Sequence, residues 1–296
     1  MLVTIADLNQ VDRAREGIEL AKQLSLLYDE YVNTEDDTAP APPPGPPRPR
    51  LAGIHASEFS KCIRQMTYSL LAYPKKSSVN KFWRQRFKVG HAIHDMVQTD
   101  YERMAARTRN VERQKTKGRE WSLDFEREVQ VSQTLQLVAK ELRLEGHADG
   151  VFTFRQGLFR EGEKAPPRLR VLSEIKTESP KEFEKLVRPR DEHIAQAHIY
   201  MAALDIPLTW FFYFSKGTQN NTNSEAPWLT VFNPDVWRDC ERKCRMGLNF
   251  FERKELGPRE ESIGCQFCSY AWNCQPHILQ PGGTLHRDML RVPKDG

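Results

Sequence analysis

The chain has 296 residues, 39% of them hydrophobic and 28% charged, with a formal net charge of +4. That length can bury one large domain with appendages or two small ones, and the mildly basic balance permits a nucleic-acid partner without demanding one. No run of about 18 apolar residues exists, which excludes a membrane-spanning helix, and MLVTIADLNQVDRAREG lacks the basic start, apolar block and cleavage site of a secretory signal. A reducing, cytosol-like compartment is therefore expected, where clustered cysteines read as metal or cluster ligands more readily than as disulfides.

Residues 3 to 33 read as one amphipathic helix whose apolar surface comes from Leu8, Val11, Ile18, Leu24, Leu27 and Tyr31. The proline tract that follows, within NTEDDTAPAPPPGPPRPR, cannot pack as helix or strand and predicts an extended spacer of roughly 3.1 Å per residue. The expected division is an N-terminal helix over 1–36, a linker over 37–50, a main domain over 51–278 and a tail over 279–296. On its spacer the first helix is a candidate for recruiting a partner such as a separate helicase, with self-packing an equal alternative.

In the main domain IHASEFSKCIRQMTYSLLAYP predicts a helix capped by Ser57 or Ser60, and a long helix should cover Lys81 to Arg107. DFEREVQVS, LRLEGHADGVFTF and RVLSEIKTE have strand-like alternation. DEHIAQAHIYMAAL reads as helix, LTWFFYFSKG and WLTVFN as strands, and Asp235 to Lys254 as helix. The sum is a mixed α/β core.

SEIKT is the sharpest local signal. Residues at i and i+2 of a strand share a face, so Glu174 and Lys176 point together while Ile175 faces the opposite layer. A carboxylate beside an ammonium can hold a divalent ion next to a water or phosphate; a surface ion pair is the plain alternative. Asp149, in GHADGVF, is either a turn aspartate before glycine or a second oxygen ligand for magnesium or manganese. GCQFCSYAWNC sets Cys265, Cys268 and Cys274 close together, three of the six cysteines.

An Asp on one strand followed by Glu-x-Lys on the next resembles the PD-(D/E)XK nuclease superfamily, with Asp149, Glu174 and Lys176 matching its defining residues. Gly90 to His94 is similar to the G-x-x-x-H signature of the RecB-type branch, and Gln196 to Tyr200 to its Q-x-x-x-Y. The resemblance, which covers roughly Leu51 to Pro276, implies a restriction-endonuclease-like mixed sheet flanked by helices. It implies that His94, Asp149, Glu174 and the carbonyl of Ile175 hold one or two magnesium or manganese ions, and that Lys176 orients the attacking water. His94, rather than its neighbour His91, is selected by the family pattern. Gln196 and Tyr200 would contact DNA or orient the site, and Arg188, Arg190 and Lys216 are candidate phosphate contacts.

The C-x-x-C-x-x-x-x-x-C spacing resembles the iron-sulfur subset of that branch, which includes CRISPR-adaptation nucleases, the AddB subunit and a eukaryotic replication nuclease-helicase. In that subset the fourth thiolate lies far upstream, which corresponds here to Cys62 in KCIRQMTY. Four thiolates are the usual ligands of a 4Fe-4S cluster. Such a cluster would clasp the start of the domain to its end, restricting the unfolded chain by about 4 to 5 kcal/mol if it acts as a disulfide does. Cys240 or Cys244 as the fourth ligand, a zinc site instead of a cluster, and thiols that hold no metal are the alternatives; with Cys62 as ligand, Cys240 and Cys244 read as packing residues.

The implied activity is metal-dependent hydrolysis of DNA phosphodiesters, as an exonuclease on ends or single strands in recombination, replication or repair, in a bacterial or phage setting. The alternatives are a catalytically silent iron-sulfur DNA-binding or scaffold protein and a zinc-ribbon interaction protein. No G-x-x-x-x-G-K-[ST] phosphate loop is present, so no recognisable motor accompanies the site.

Overall fold

The structure is a computed structural model that describes residues 10–33, 53–59, 62–75, 81–109, 121–131, 137–156, 167–218, 220–222, 228–260, 265 and 268–274. The expected linker, the tail, Leu8 and the Ser60 cap lie outside the described residues. In chain order the elements are α1 (Gln10–Asn33), β1 (Ile54–His55), α2 (Ile63–Leu70), α3 (Lys81–Thr108), β2 (Trp121–Gln130), α4 (Leu137–Glu141), β3 (Leu144–Glu145) and β4 (His147–Gln156). They continue with β5 (Pro167–Glu178), α5 (Pro180–Phe183), α6 (Asp191–Leu204), β6 (Leu208–Ser215), β7 (Trp228–Val231), α7 (Pro234–Glu252) and α8 (Ala271–Cys274).

Five strands form one mixed sheet in the order β2-β4-β5-β6-β7. Within this sheet β5 and β6 are the parallel pair, and the chain passes between them through α6 as a parallel pair requires. Every residue of β6, LTWFFYFS, is buried, because helices cover both faces of the sheet. Its alternation splits the core in two. Trp210, Phe212 and Phe214 pack under α1 and α3, while Phe211 and Tyr213 pack with α2, α4, α6 and α7.

The N-terminal helix joins the first of these layers. Leu24, Leu27, Tyr28 and Tyr31 are buried, and the Tyr28 ring meets Tyr101 and Phe212 edge-on at 5.6 and 5.2 Å. These contacts are the self-packing alternative, although Ile18, Leu26 and Val32 remain exposed on α1.

Two local expectations need correction. The helix expected from Ser57 begins at Ile63, with Cys62 as its N-cap residue. Ile54–His55 instead pairs in parallel with β3, its Ile54 N–H bonding Arg143 O at 2.9 Å, and Ala56–Glu58 forms one turn of 3-10 helix. Pairing the backbone of this segment with a strand competes with the helix that its apolar spacing suggested. LRLEGHADGVFTF is likewise two strands, broken at Gly146, whose φ of 133° is open only to glycine at low cost. Among the described residues no helix is long and apolar enough to cross a membrane.

If α1 is part of the core, Leu24→Ala should cost about 2 to 4 kcal/mol in urea unfolding. A loss well below 1 kcal/mol would show that the helix does not hold the domain together.

Candidate functional site

The site forms where two neighbouring strands part. The β4–β5 ladder ends at Gly150↔Ser173, yet β5 continues to Glu178 beside β6. On the vacated side, Ile175 N–H donates to Asp149 Oδ2 at 2.7 Å. Asp149 thus replaces a strand partner with its own side chain. Gly150 is required here because a Cβ would enter the Phe125 ring of β2.

His94 arrives from α3, with Nδ1 at 3.3 Å from Asp149 Oδ1. Gly90 explains the approach: a Cβ there would meet Thr177 Oγ1 at 3.2 Å, so glycine lets α3 lie against the end of β5. One turn later the helix presents His94, while His91 is exposed. Gln98, a further turn on and 1% exposed, donates through Nε2 to Asp149 O at 2.7 Å and to Glu128 Oε1 at 2.9 Å.

Glu174 and Lys176 point together toward α6, and Ile175 is buried in the opposite layer. Lys176 Nζ bonds Glu174 Oε2 at 2.7 Å and Gln196 Oε1 at 3.2 Å, and Gln196 Nε2 lies 3.4 Å from the Tyr200 hydroxyl. The row continues outward with Arg190, which pairs with Glu178 at 3.0 Å and Glu182 at 3.3 Å. Lys216 sits near the site of the missing Gly90 side chain. Arg188 is exposed and pairs with Asp191 at 2.6 Å.

Burial and charge pull the four central groups apart. Burial pushes the Glu174 carboxyl up to about 7, with Lys176 opposing and Asp149 adding to the rise. Burial would raise Asp149 too, but His94, Lys176 and the Ile175 N–H outweigh it and hold that carboxyl low. For Lys176, burial is outweighed by Glu174 and Asp149, which keep the ammonium charged. His94 is raised because Asp149 overcomes its burial. The Glu174 side chain is 1% exposed and its Oε1 has no donor among the described residues, whereas Asp149 and His94 are 17% and 26% exposed, so the site opens on their side.

A buried carboxylate oxygen with no donor, beside another carboxylate and an imidazole, is a hard-donor set suited to magnesium or manganese. Among the described residues, however, no three His, Cys, Asp and Glu side chains stand at metal-binding spacing. The cysteines show a related pattern. The segment carrying Cys268 and Cys274 docks on α2, the helix headed by Cys62. Tyr270 stacks on Tyr68 at 5.0 Å, and Cys268 Sγ lies 3.4 Å from Gln65 Oε1. Cys62, Cys265, Cys268 and Cys274 are half-buried and in no disulfide, and thiols are soft donors that suit iron or zinc. Cys240 and Cys244 are buried in the core between α6 and α7, and burial pushes both thiols up to about 12.

Three residues of this region carry no sequence motif. Gln98 was legible only as the i+4 neighbour of His94, and His193 as the i−3 neighbour of Gln196. Glu128 gave no signal: it sits inside β2 between the pairs Arg127↔Gly150 and Val129↔Ala148, with φ at 53°.

The fold and site define a mixed α/β protein with a carboxylate, histidine and lysine cluster at a strand fork. No family model matches the chain, and no curated protein matches it. A solved structure described as "Crystal structure of SSO0001" is similar over 88% of this chain and 96% of that one, at 12% identity and a TM-score of 0.43.

The half-buried ring of His193 supplies a pH test. Burial, then the charges of Lys176 and Arg190, push it down to about 3. An unfolded histidine titrates near 6.5, so below that value the unfolded chain binds the proton and the native state does not. This contribution to stability is complete above pH 6.5 and declines as pH falls. Between pH 7 and 5, wild type should lose about 1 to 2 kcal/mol relative to His193→Gln in urea unfolding. Parallel pH curves would contradict the burial of a neutral ring.

Proposed function

We propose that the protein is a divalent-metal-dependent DNA nuclease that resembles the RecB-type, iron-sulfur branch of the PD-(D/E)XK superfamily. The observation that carries this reading is the meeting of Asp149, Glu174, Lys176, His94, Gln196 and Tyr200, which come from four separate elements, around one strand fork.

His94, Asp149, Glu174 and the Ile175 carbonyl are the residues that would hold magnesium or manganese. When bound, the ion supplies Lewis-acid polarisation of the scissile phosphate and stabilisation of the leaving oxyanion. The chain's own groups do the rest. Lys176, kept charged by Glu174 and Asp149, orients a water for attack and offsets negative charge on the phosphorus centre. Gln196 steers the Lys176 ammonium, and Tyr200 steers Gln196. Asp149 cannot swing away without leaving the Ile175 N–H unpaired, so its second oxygen stays aimed at the open side of the site. Phosphodiester hydrolysis needs a barrier reduction of roughly 20 kcal/mol, which such preorganisation shares between positioning and electrostatics.

Cys62, Cys265, Cys268 and Cys274 would hold a 4Fe-4S cluster as a structural clasp. The placement of Cys240 and Cys244 in the core favours Cys62 as the fourth ligand. Lys216 and Arg190 are the proposed phosphate contacts nearest the row of site residues. Arg188, paired with Asp191 at the surface, is the weakest of the three. The exposed apolar residues of α1 remain the proposed recruiting surface for a helicase or other recombination partner. A reducing compartment suits cysteines that form no disulfide.

Lys176 closing on Glu174 is the observation that favours the second reading, a catalytically silent DNA-binding protein. Anaerobically purified protein, given labelled single-stranded and duplex DNA with free or blocked ends plus manganese, separates the two. Wild type should degrade DNA, Asp149→Ala should lose at least about 100-fold of that activity, and the protein should carry iron with acid-labile sulfide. Equal activity of the two proteins, or binding without any cleavage by wild type, would overturn the nuclease reading. Zinc in place of iron would overturn the cluster alone.

A further inference from the structure

His193 lies on the α6 face that carries Gln196 and Tyr200, one turn nearer the helix start and alongside Lys176. Its Nδ1 is 2.6 Å from the Tyr213 hydroxyl of β6, and that hydroxyl accepts the Arg190 main-chain N–H at 3.1 Å. Tyr213 is fully buried, and among the described residues His193 Nδ1 is the acceptor within reach of its one proton. An unpaired buried O–H would cost about 1 to 3 kcal/mol. Giving the proton to Nδ1 avoids that cost and puts the ring's own proton on Nε2.

We propose that His193 is a substrate contact: a neutral Nε2–H donor to a non-bridging phosphate oxygen of the DNA strand held beside Lys176. Tyr213 and the Arg190 main chain fix the tautomer. The proposal rests on the nuclease reading and deepens it. A ring protonated at Nε2 has no lone pair there for a metal ion, so His193 is set apart from His94 in role. Nor does a neutral donor compete with Lys176 for the Glu174 carboxylate. Burial supports the neutral form.

The test measures affinity for a fluorescent single-stranded oligodeoxythymidylate in calcium across a range of salt, and cleavage of the same strand in manganese. His193→Ala should weaken binding and kcat/KM by about 10- to 100-fold, the span of a hydrogen bond to a charged group. The slope of log affinity against log salt should not change, because no cation is lost. The manganese-induced rise in melting temperature should persist. His193→Gln, whose amide nitrogen can stand in for Nε2, should recover most of the loss, and Tyr213→Phe should fall between.

Wild-type affinity and cleavage in His193→Ala would overturn the proposal alone, leaving the nuclease intact. A salt slope lowered by about 0.7 would overturn it in favour of a cationic contact, and loss of the manganese effect in favour of a metal ligand. Absence of binding and cleavage by wild type would overturn the nuclease reading and this proposal together.

Discussion

One hydrogen bond organises the site: Ile175 N–H to Asp149 Oδ2 at 2.7 Å. Where β4 and β5 separate, β5 must keep its backbone groups paired in the interior, since an orphaned buried N–H costs about 1 to 3 kcal/mol. Asp149 meets that need with a carboxylate in place of a strand. Its position is thereby tied to the sheet, and its other oxygen is left for His94 and for whatever enters the fork. The two glycines serve the same junction. Gly150 admits the Phe125 ring, and Gly90 admits the end of β5 to the surface of α3. On the other side of β5, the strand pleat carries Glu174 and Lys176 under the Gln196–Tyr200 face of α6. Two helices from opposite layers therefore reach one point because the sheet opens there.

The fork is also costly to the fold. Glu174 is almost fully buried with one oxygen unbonded among the described residues, and Glu128 holds φ at 53° in a strand interior, a conformation that a non-glycine residue adopts only at a price in strain. Packing elsewhere offsets these terms. The β6 run from Trp210 to Phe214 is buried on both faces, and the Tyr28–Tyr101–Phe212 contacts extend that packing into α1. Strain and an unsatisfied acid at one junction of a well-packed sheet do not serve stability, which makes the fork the candidate site.

Much of this was legible in the chain because periodicity reports local geometry. The i, i+2 spacing placed Glu174 and Lys176 on one face, and the i, i+4 spacing did the same for Gln196 and Tyr200. The order of strands and helices gave the mixed sheet. The remainder depended on long-range pairing, which local pattern does not encode. Ile54–His55 joins β3 across the fold, so the helix begins at Cys62's successor and not at Ser57. The Gly146 break in β3–β4 could be read as a turn residue only once its backbone angle was known. Gln98 and His193 each differ from ordinary helix residues only in what lies opposite them: the carbonyl of Asp149 in one case and the hydroxyl of Tyr213 in the other.

The cysteines pose the same question at the other end of the domain, where the chain's last described residues fold onto the helix that Cys62 begins. The fork itself bears most directly on what the protein does. Crystals grown with manganese chloride, with anomalous diffraction recorded at the manganese edge, would locate any ion without reference to activity. A peak bounded by Asp149 and Glu174, absent from Asp149→Ala crystals, is the expected result. An empty fork at millimolar manganese, with Lys176 still bonded to Glu174, would contradict the assignment of the site as a metal-dependent catalytic centre.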